Sequence, residues 1–150
     1  KGIVILINKW DLIPNKETNT ARDYEEEVRR RFAPFNDLPV IFTSATEKQR
    51  IFKAVEAALQ VHESRSRKIS TSKLNDLMLE VIERNPPPAY RGRYIKIKYI
   101  TQLPLAYPAF AFFCNDPKHI RESYRNFLEN QLRKHFDFTG VPISMFFRKK

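Results

Sequence analysis

Ile3-Val4-Ile5-Leu6-Ile7-Asn8-Lys9-Trp10-Asp11 decides how this chain folds. Five β-branched or leucine residues without alternation predict a strand buried on both faces, as in a parallel sheet. The polar run Asn8-Lys9-Trp10-Asp11 starts where that strand ends, at the edge where open α/β sheets bind ligands. The Asp11 carboxylate is suited to accept from both the ring N–H and the exocyclic amine of guanine, a two-pronged match that adenine cannot offer. Asn8 would tie the loop together and reach the far edge of the base, and the aliphatic stem of Lys9 would cover the purine face. A four-residue match alone also fits a plain polar turn. A second element favours the base site: Thr43-Ser44-Ala45 follows the next apolar strand, Val40-Ile41-Phe42, and reaches the same sheet edge. There the small Ala45 lets its backbone N–H approach the guanine carbonyl, and Ser44 flanks it.

Working outward, Thr20-x-x-Asp23 predicts a helix start, with Tyr24, Val28 and Phe32 on one face and Glu25–Glu27 opposite Arg29–Arg31 in the next turn. Thr46-x-x-Gln49 predicts a capping box leading a helix with Ile51, Val55, Ala58 and Leu59 on its apolar face. Strand, helix, strand, helix is a parallel βαβα arrangement. Residues 63–68 carry no apolar side chain and fit either a solvated helix extension or a linker. Ser70-Thr71-Ser72 then caps a helix bearing Leu74, Leu77, Met78, Val81 and Ile82, stopped by Pro86-Pro87-Pro88. Beyond it the period becomes two, with Ile95, Ile97 and Tyr99 facing one way and Tyr94, Lys96 and Lys98 the other. Phe110 and Phe112 alternate in the next strand. Asp116-Pro117 predicts a helix start for Ile120, Tyr124, Phe127, Leu128 and Leu132. Ile143, Met145 and Phe147 line a last strand after Gly140. This second module reads α-β-β-α-β.

Charge separates the two halves. Residues 1–70 hold 13 basic and 10 acidic side chains, and residues 71–150 hold 14 and 7. Of the net +10, the second half therefore supplies +7, which suggests a polyanionic partner for it, RNA first. Arg91, Arg93, Lys96 and Lys98 run into and along one strand, and Arg148-Lys149-Lys150 adds a basic tail. The other reading of these residues is a solvated strand edge that guards against aggregation. Cys114 is the single cysteine and sits in an apolar run, so it reads as a buried small hydrophobe. The aromatics recur at core spacing. The histidines His62, His119 and His135 stand apart from metal-ligand clusters, so no metal site is expected. No apolar run reaches the length of a membrane span.

The Asn-Lys-x-Asp element followed by Ser-Ala is similar to the base-recognition pair of the P-loop GTPase superfamily. Its Asn8-Lys9-Trp10-Asp11 form, with Ile69-Ser70-Thr71-Ser72-Lys73-Leu74-Asn75, Asn85-Pro86-Pro87-Pro88, Lys98–Gln102, Phe113–Pro117, Ser123–Asn130 and Gly140–Ile143, resembles the C-terminal part of the Der (EngA) family. The resemblance covers essentially the whole chain. It implies an α/β part followed by an α+β part: residues 1–66 as the end of a GTPase domain with a partial P-loop-type parallel sheet, and residues 67–150 as a KH-like domain. It implies GTP or GDP with magnesium in the full-length protein, and as partners the large ribosomal subunit, its RNA and proteins, and the protein's own GTPase domains. It also implies a cytoplasmic setting and a role in ribosome assembly.

The departures from that pattern set further expectations. The only glycines are Gly2, Gly92 and Gly140, so there is no G-x-x-x-x-G-K-[ST] loop to cradle phosphates. No hydrolysis, no catalytic residue and no tightly held nucleotide are expected of this chain alone. The start at Lys1, without Met and almost directly in a strand, reads as a fragment. The G-x-x-G clamp of RNA-binding KH domains is also missing, since Arg91-Gly92-Arg93 has a single glycine. A stand-alone RNA-binding or protein-docking module without nucleotide function is the alternative.

Overall fold

The structure, a computed structural model, describes residues 1–150. It divides into two compact units, one of residues 1–65 with 139–142 and the other of residues 66–138 with 143–150. Thr139–Pro142 group with the first unit although residues of the second flank them in sequence.

In the first unit, β1 (Ile5–Ile7) and β2 (Val40–Phe42) pair in parallel, with Ile7 opposite Phe42. The expected burial of this strand on both faces is not met: the sheet has two strands, and Leu6 is 51% exposed. Between the strands runs α1 (Thr20–Phe32), in which no residue is buried. Side-chain pairs hold its surface, Arg29 to Glu25, Arg22 to Glu26, and Arg30 and Arg31 to Glu27. Thr20 is the first helical residue rather than the cap, and its hydroxyl accepts from the Glu17 N–H at 2.9 Å.

The helix α2 (Ile51–Ser66) starts without the expected capping box. Thr46–Gln49 instead closes a turn in which Ser44 and Gln49 exchange backbone bonds of 3.3 and 2.9 Å. The helix carries the ambiguous residues 63–66 as an extension. Its anticipated core face is open: Ile51, Val55 and Leu59 are 39%, 55% and 61% exposed, while outside that face Phe52 is exposed and Val61 is buried. Gly140 adds a long-range tie, accepting from Ile3 N–H and donating to the Asp37 carbonyl, each at 2.7 Å.

The second unit begins with α3 (Thr71–Arg84), capped by the Ser70 hydroxyl on the Lys73 N–H. It buries Leu74, Met78 and Ile82. The strands β3 (Ile97–Gln102), β4 (Ala109–Cys114) and β5 (Ser144–Lys149) form a sheet with β4 central, antiparallel to β3 and parallel to β5. The order α-β-β-α-β is as expected, and a single 3-10 turn at Pro117–His119 is added before α4 (Glu122–His135). Asp116 does not cap that turn, so the anticipated helix start moves from Pro117 to Glu122. The core joins Leu74, Met78, Ile100, Phe110, Phe112, Leu128 and Leu132, all fully buried, and takes in Cys114.

One expectation about β3 is overturned. Register shifts between Ile97 and Tyr99, and this irregularity changes the phase of the strand. Ile97 and Ile100 are therefore the buried residues, while Tyr99 stacks on Phe113 at 4.4 Å. Asn75 of α3 locks the strand beyond the irregularity: its amide accepts from Ile100 N–H at 2.8 Å and donates to Ile100 C=O at 2.7 Å. Tyr124 of α4 donates to the Asn85 carbonyl at the end of α3, and burial pushes its phenol up to about 12.

Candidate guanine-reading edge and basic surface

The parallel register sets the first site. Ile7 and Phe42 lie side by side at the ends of their strands, so Asn8 and Thr43 leave the sheet together. Three hydrogen bonds tie the two loops: Thr43 N–H to the Ile7 carbonyl at 2.8 Å, Trp10 N–H to the Thr43 carbonyl at 3.0 Å, and the Thr43 hydroxyl to Asn8 Oδ1 at 3.3 Å. Lys9 takes a left-handed conformation, φ 57°, which starts the 3-10 turn Trp10–Leu12. Asn8, Lys9 and Ala45 are exposed. Ser44 is fully buried and its hydroxyl accepts from Glu47 N–H at 3.2 Å, so its side chain braces the loop that carries Ala45.

Asp11 carries the informative atom. Its Oδ1 is shut from solvent and has no hydrogen-bond partner. A carboxylate oxygen in that state is unfavourable until a donor is brought to it. Guanine has two adjacent donors of the required kind, so the residues present fit that base. No group of three or more acidic, histidine or cysteine side chains is placed to hold a metal ion.

Trp10, which the sequence reading left without a role, is placed as a structural anchor of this loop. Its ring meets Tyr24 of α1 edge-on at 5.5 Å and Phe42 of β2 at 4.4 Å, and it is 7% exposed. It thus anchors the Asn8–Asp11 loop to both elements that flank it. A lone tryptophan inside a polar loop is the signal that points to such an anchor.

The second site lies in the second unit, where topology gathers residues distant in sequence. β3 begins and β5 ends beside the C-terminal end of β4, with Ile97 and Lys149 both opposite Cys114. Asn115 fastens this end, accepting from Lys96 N–H at 2.8 Å and donating to the Tyr94 carbonyl at 2.9 Å. Lys96, Lys98, Arg148, Lys149 and Lys150 therefore converge there, all exposed, with the Lys150 ammonium 4.7 Å from the Tyr99 ring centre. Arg91 and Arg93 belong to a turn closed by two Tyr90–Arg93 backbone bonds. Lys118 and Arg121, exposed in the segment that follows β4, were not singled out from sequence. No helix of the structure is long and apolar enough to cross a membrane.

Comparison with known proteins identifies relatives of the chain. Residues 68–148 match the family described as KH-domain-like of EngA bacterial GTPase enzymes, C-terminal. "GTPase Der" of Christiangramia forsetii is 61% identical over 150 residues, which is all of this chain and 34% of that protein. "GTPase Der" of Porphyromonas gingivalis and of Flavobacterium johnsoniae are 54% and 53% identical over the same length. The chain thus spans about a third of the length of the curated relatives it matches. With more than half of its residues inside the matched region, the chain belongs to the family of KH-domain-like C-terminal regions of EngA bacterial GTPases.

Proposed function

We propose that this chain is the base-reading and docking part of a cytoplasmic GTP-binding protein that assists assembly of the large ribosomal subunit. In this reading residues 1–66 are the end of a P-loop GTPase domain, and residues 67–150 dock on ribosomal RNA and proteins or on the protein's own GTPase domains. The observation that carries it is the partnerless Asp11 Oδ1 at the shared edge of β1 and β2, beside the Ala45 loop. The relatives named GTPase Der support the same reading.

The roles follow from chemistry. Asp11 takes the two guanine donors, Asn8 and Ser44 hold the loops, Lys9 covers the base, and the Ala45 N–H serves the guanine carbonyl. The phosphates and magnesium of bound GTP or GDP would be held by residues other than these, since the chain has no phosphate-cradling glycine loop. Hydrolysis is accordingly assigned to a longer protein.

The experiment grafts this chain onto the C. forsetii relative in place of the matching third. Asp11→Asn is expected to weaken guanine nucleotide binding on the order of 100-fold, through loss of charge-assisted hydrogen bonds. Xanthine nucleotides, with a carbonyl where guanine has its amine, should gain. A graft whose preference for GTP over ATP is the same with Asp11 and with Asn would refute the assignment.

A further inference from the structure

Arginines elsewhere in the chain are largely engaged: Arg22, Arg29, Arg30, Arg31, Arg84 and Arg133 each pair with a carboxylate in the helix that bears them. At the C-terminal end of β4 the pattern reverses. Nine exposed cations come from three segments, Arg91, Arg93, Lys96 and Lys98, then Lys118 and Arg121, then Arg148, Lys149 and Lys150, and none forms an ion pair. Like charges gathered in this way repel one another, so their arrangement must be held by other contacts.

Two contacts hold it. Asn115 fixes the strand that bears Lys96, as described above. The Tyr90 and His119 rings stack at 3.7 Å and 12°, which joins the Arg91–Arg93 turn to the segment of Lys118 and Arg121. His119 is oriented in turn by Asp116, whose two carboxylate oxygens accept from its Nδ1 at 2.9 and 2.8 Å. That bond leaves the Asp116 charge engaged with the imidazole. Arg91 lies over the Tyr90 ring, its guanidinium carbon 5.4 Å from the centroid.

We propose that these three segments form one surface for the sugar-phosphate backbone of single-stranded RNA, and that His119 is a positioning residue that holds the Arg91–Arg93 turn in it. This rests on the reading that the second unit contacts RNA. Backbone contact follows from the residues: the surface is rich in Lys and Arg, the Tyr99 and Phe113 rings are stacked on each other and Tyr90 on His119, and Tyr94, 76% exposed beside Arg93 and Lys96, is left as an open ring. Lys118 and Arg121 occupy this surface without a glycine clamp, so charge supplies the grip that such a loop would give.

The test titrates fluorescein-labelled oligouridylate against the chain over a salt series. Wild type should bind at low salt and lose affinity steeply as salt rises. Each phosphate contact contributes roughly 0.7 to the log–log slope for a single strand, so Arg91→Ala with Arg93→Ala should reduce it by about 1.4. His119→Ala, which removes neither arginine, should lower the slope similarly, and combining all three should add nothing more. His119→Phe, which keeps the stack, should restore most of the slope. His119→Gln, which keeps a donor for Asp116 but not the stack, should not, and it serves if the alanine variant fails to fold. Lys118→Ala with Arg121→Ala should lower the slope independently. A slope untouched by His119→Ala and His119→Gln overturns the positioning role alone. Absence of RNA binding at low salt overturns the underlying reading too. Polyglutamate binding as tightly as the RNA would assign the surface to acidic proteins instead.

Discussion

Gly140 has φ 73° and is enclosed: a Cβ there would meet the Val61 side chain, the Ile3 carbonyl at 2.8 Å and Pro39 at 3.2 Å. Gly92 has nearly the same φ, 75°, with nothing within 4 Å. The pair separates backbone strain from crowding. Gly92→Ala should cost about 1–2 kcal/mol, the left-handed penalty alone. Gly140→Ala should cost about 2–4 kcal/mol, because overpacking adds to it. Urea titration of the two variants checks this, and equal losses would show that the space around Gly140 readily yields. At this scale the sequence was most legible where chemistry is local. Asn8, Asp11 and Ala45 follow strand ends, and their placement needs only the parallel register. Trp10 was not legible, because its role depends on Tyr24 and Phe42, which lie 14 and 32 positions further along the chain.

Among the elements, α3 and β3 are joined by one side chain. Asn75 satisfies both the N–H and the C=O of Ile100, a residue with no exposed surface. Asn75→Leu keeps much of the volume and strands both groups, so it should destabilise the second unit by about 2–4 kcal/mol in chemical denaturation. A loss below about 1 kcal/mol would mean that water or a shifted strand satisfies Ile100. The helices α3 and α4 were readable because their apolar stripes meet a sheet and become core. The same periodicity in α2 predicted a buried face that stands open, since spacing reports which residues share a face and not what covers them. The phase of β3 was misread for a different reason. An irregularity between Ile97 and Tyr99 leaves no mark in the alternation of residue types.

For the molecule as a whole, the two units differ in how much they bury. The second has a three-stranded sheet with a continuous core, and the first has two short strands and a helix without a buried residue. Trp10 is the only tryptophan, so its fluorescence reports the first unit, while far-UV circular dichroism reports both. The fluorescence transition should come at lower denaturant than the dichroism midpoint, and amides of residues 1–62 should exchange faster than those of 72–148. Coincident transitions would require a single cooperative unit. The second module's order of elements was visible in the sequence, but the membership of Thr139–Pro142 was not, because periodicity is a local signal and this segment bonds far back in the chain. That connection bears on synthesis. Domains made on a ribosome commonly fold from the N-terminus as they emerge. Here Ile3 and Asp37 find their partner in Gly140, so these two residues complete their backbone hydrogen bonding only after synthesis has passed Gly140.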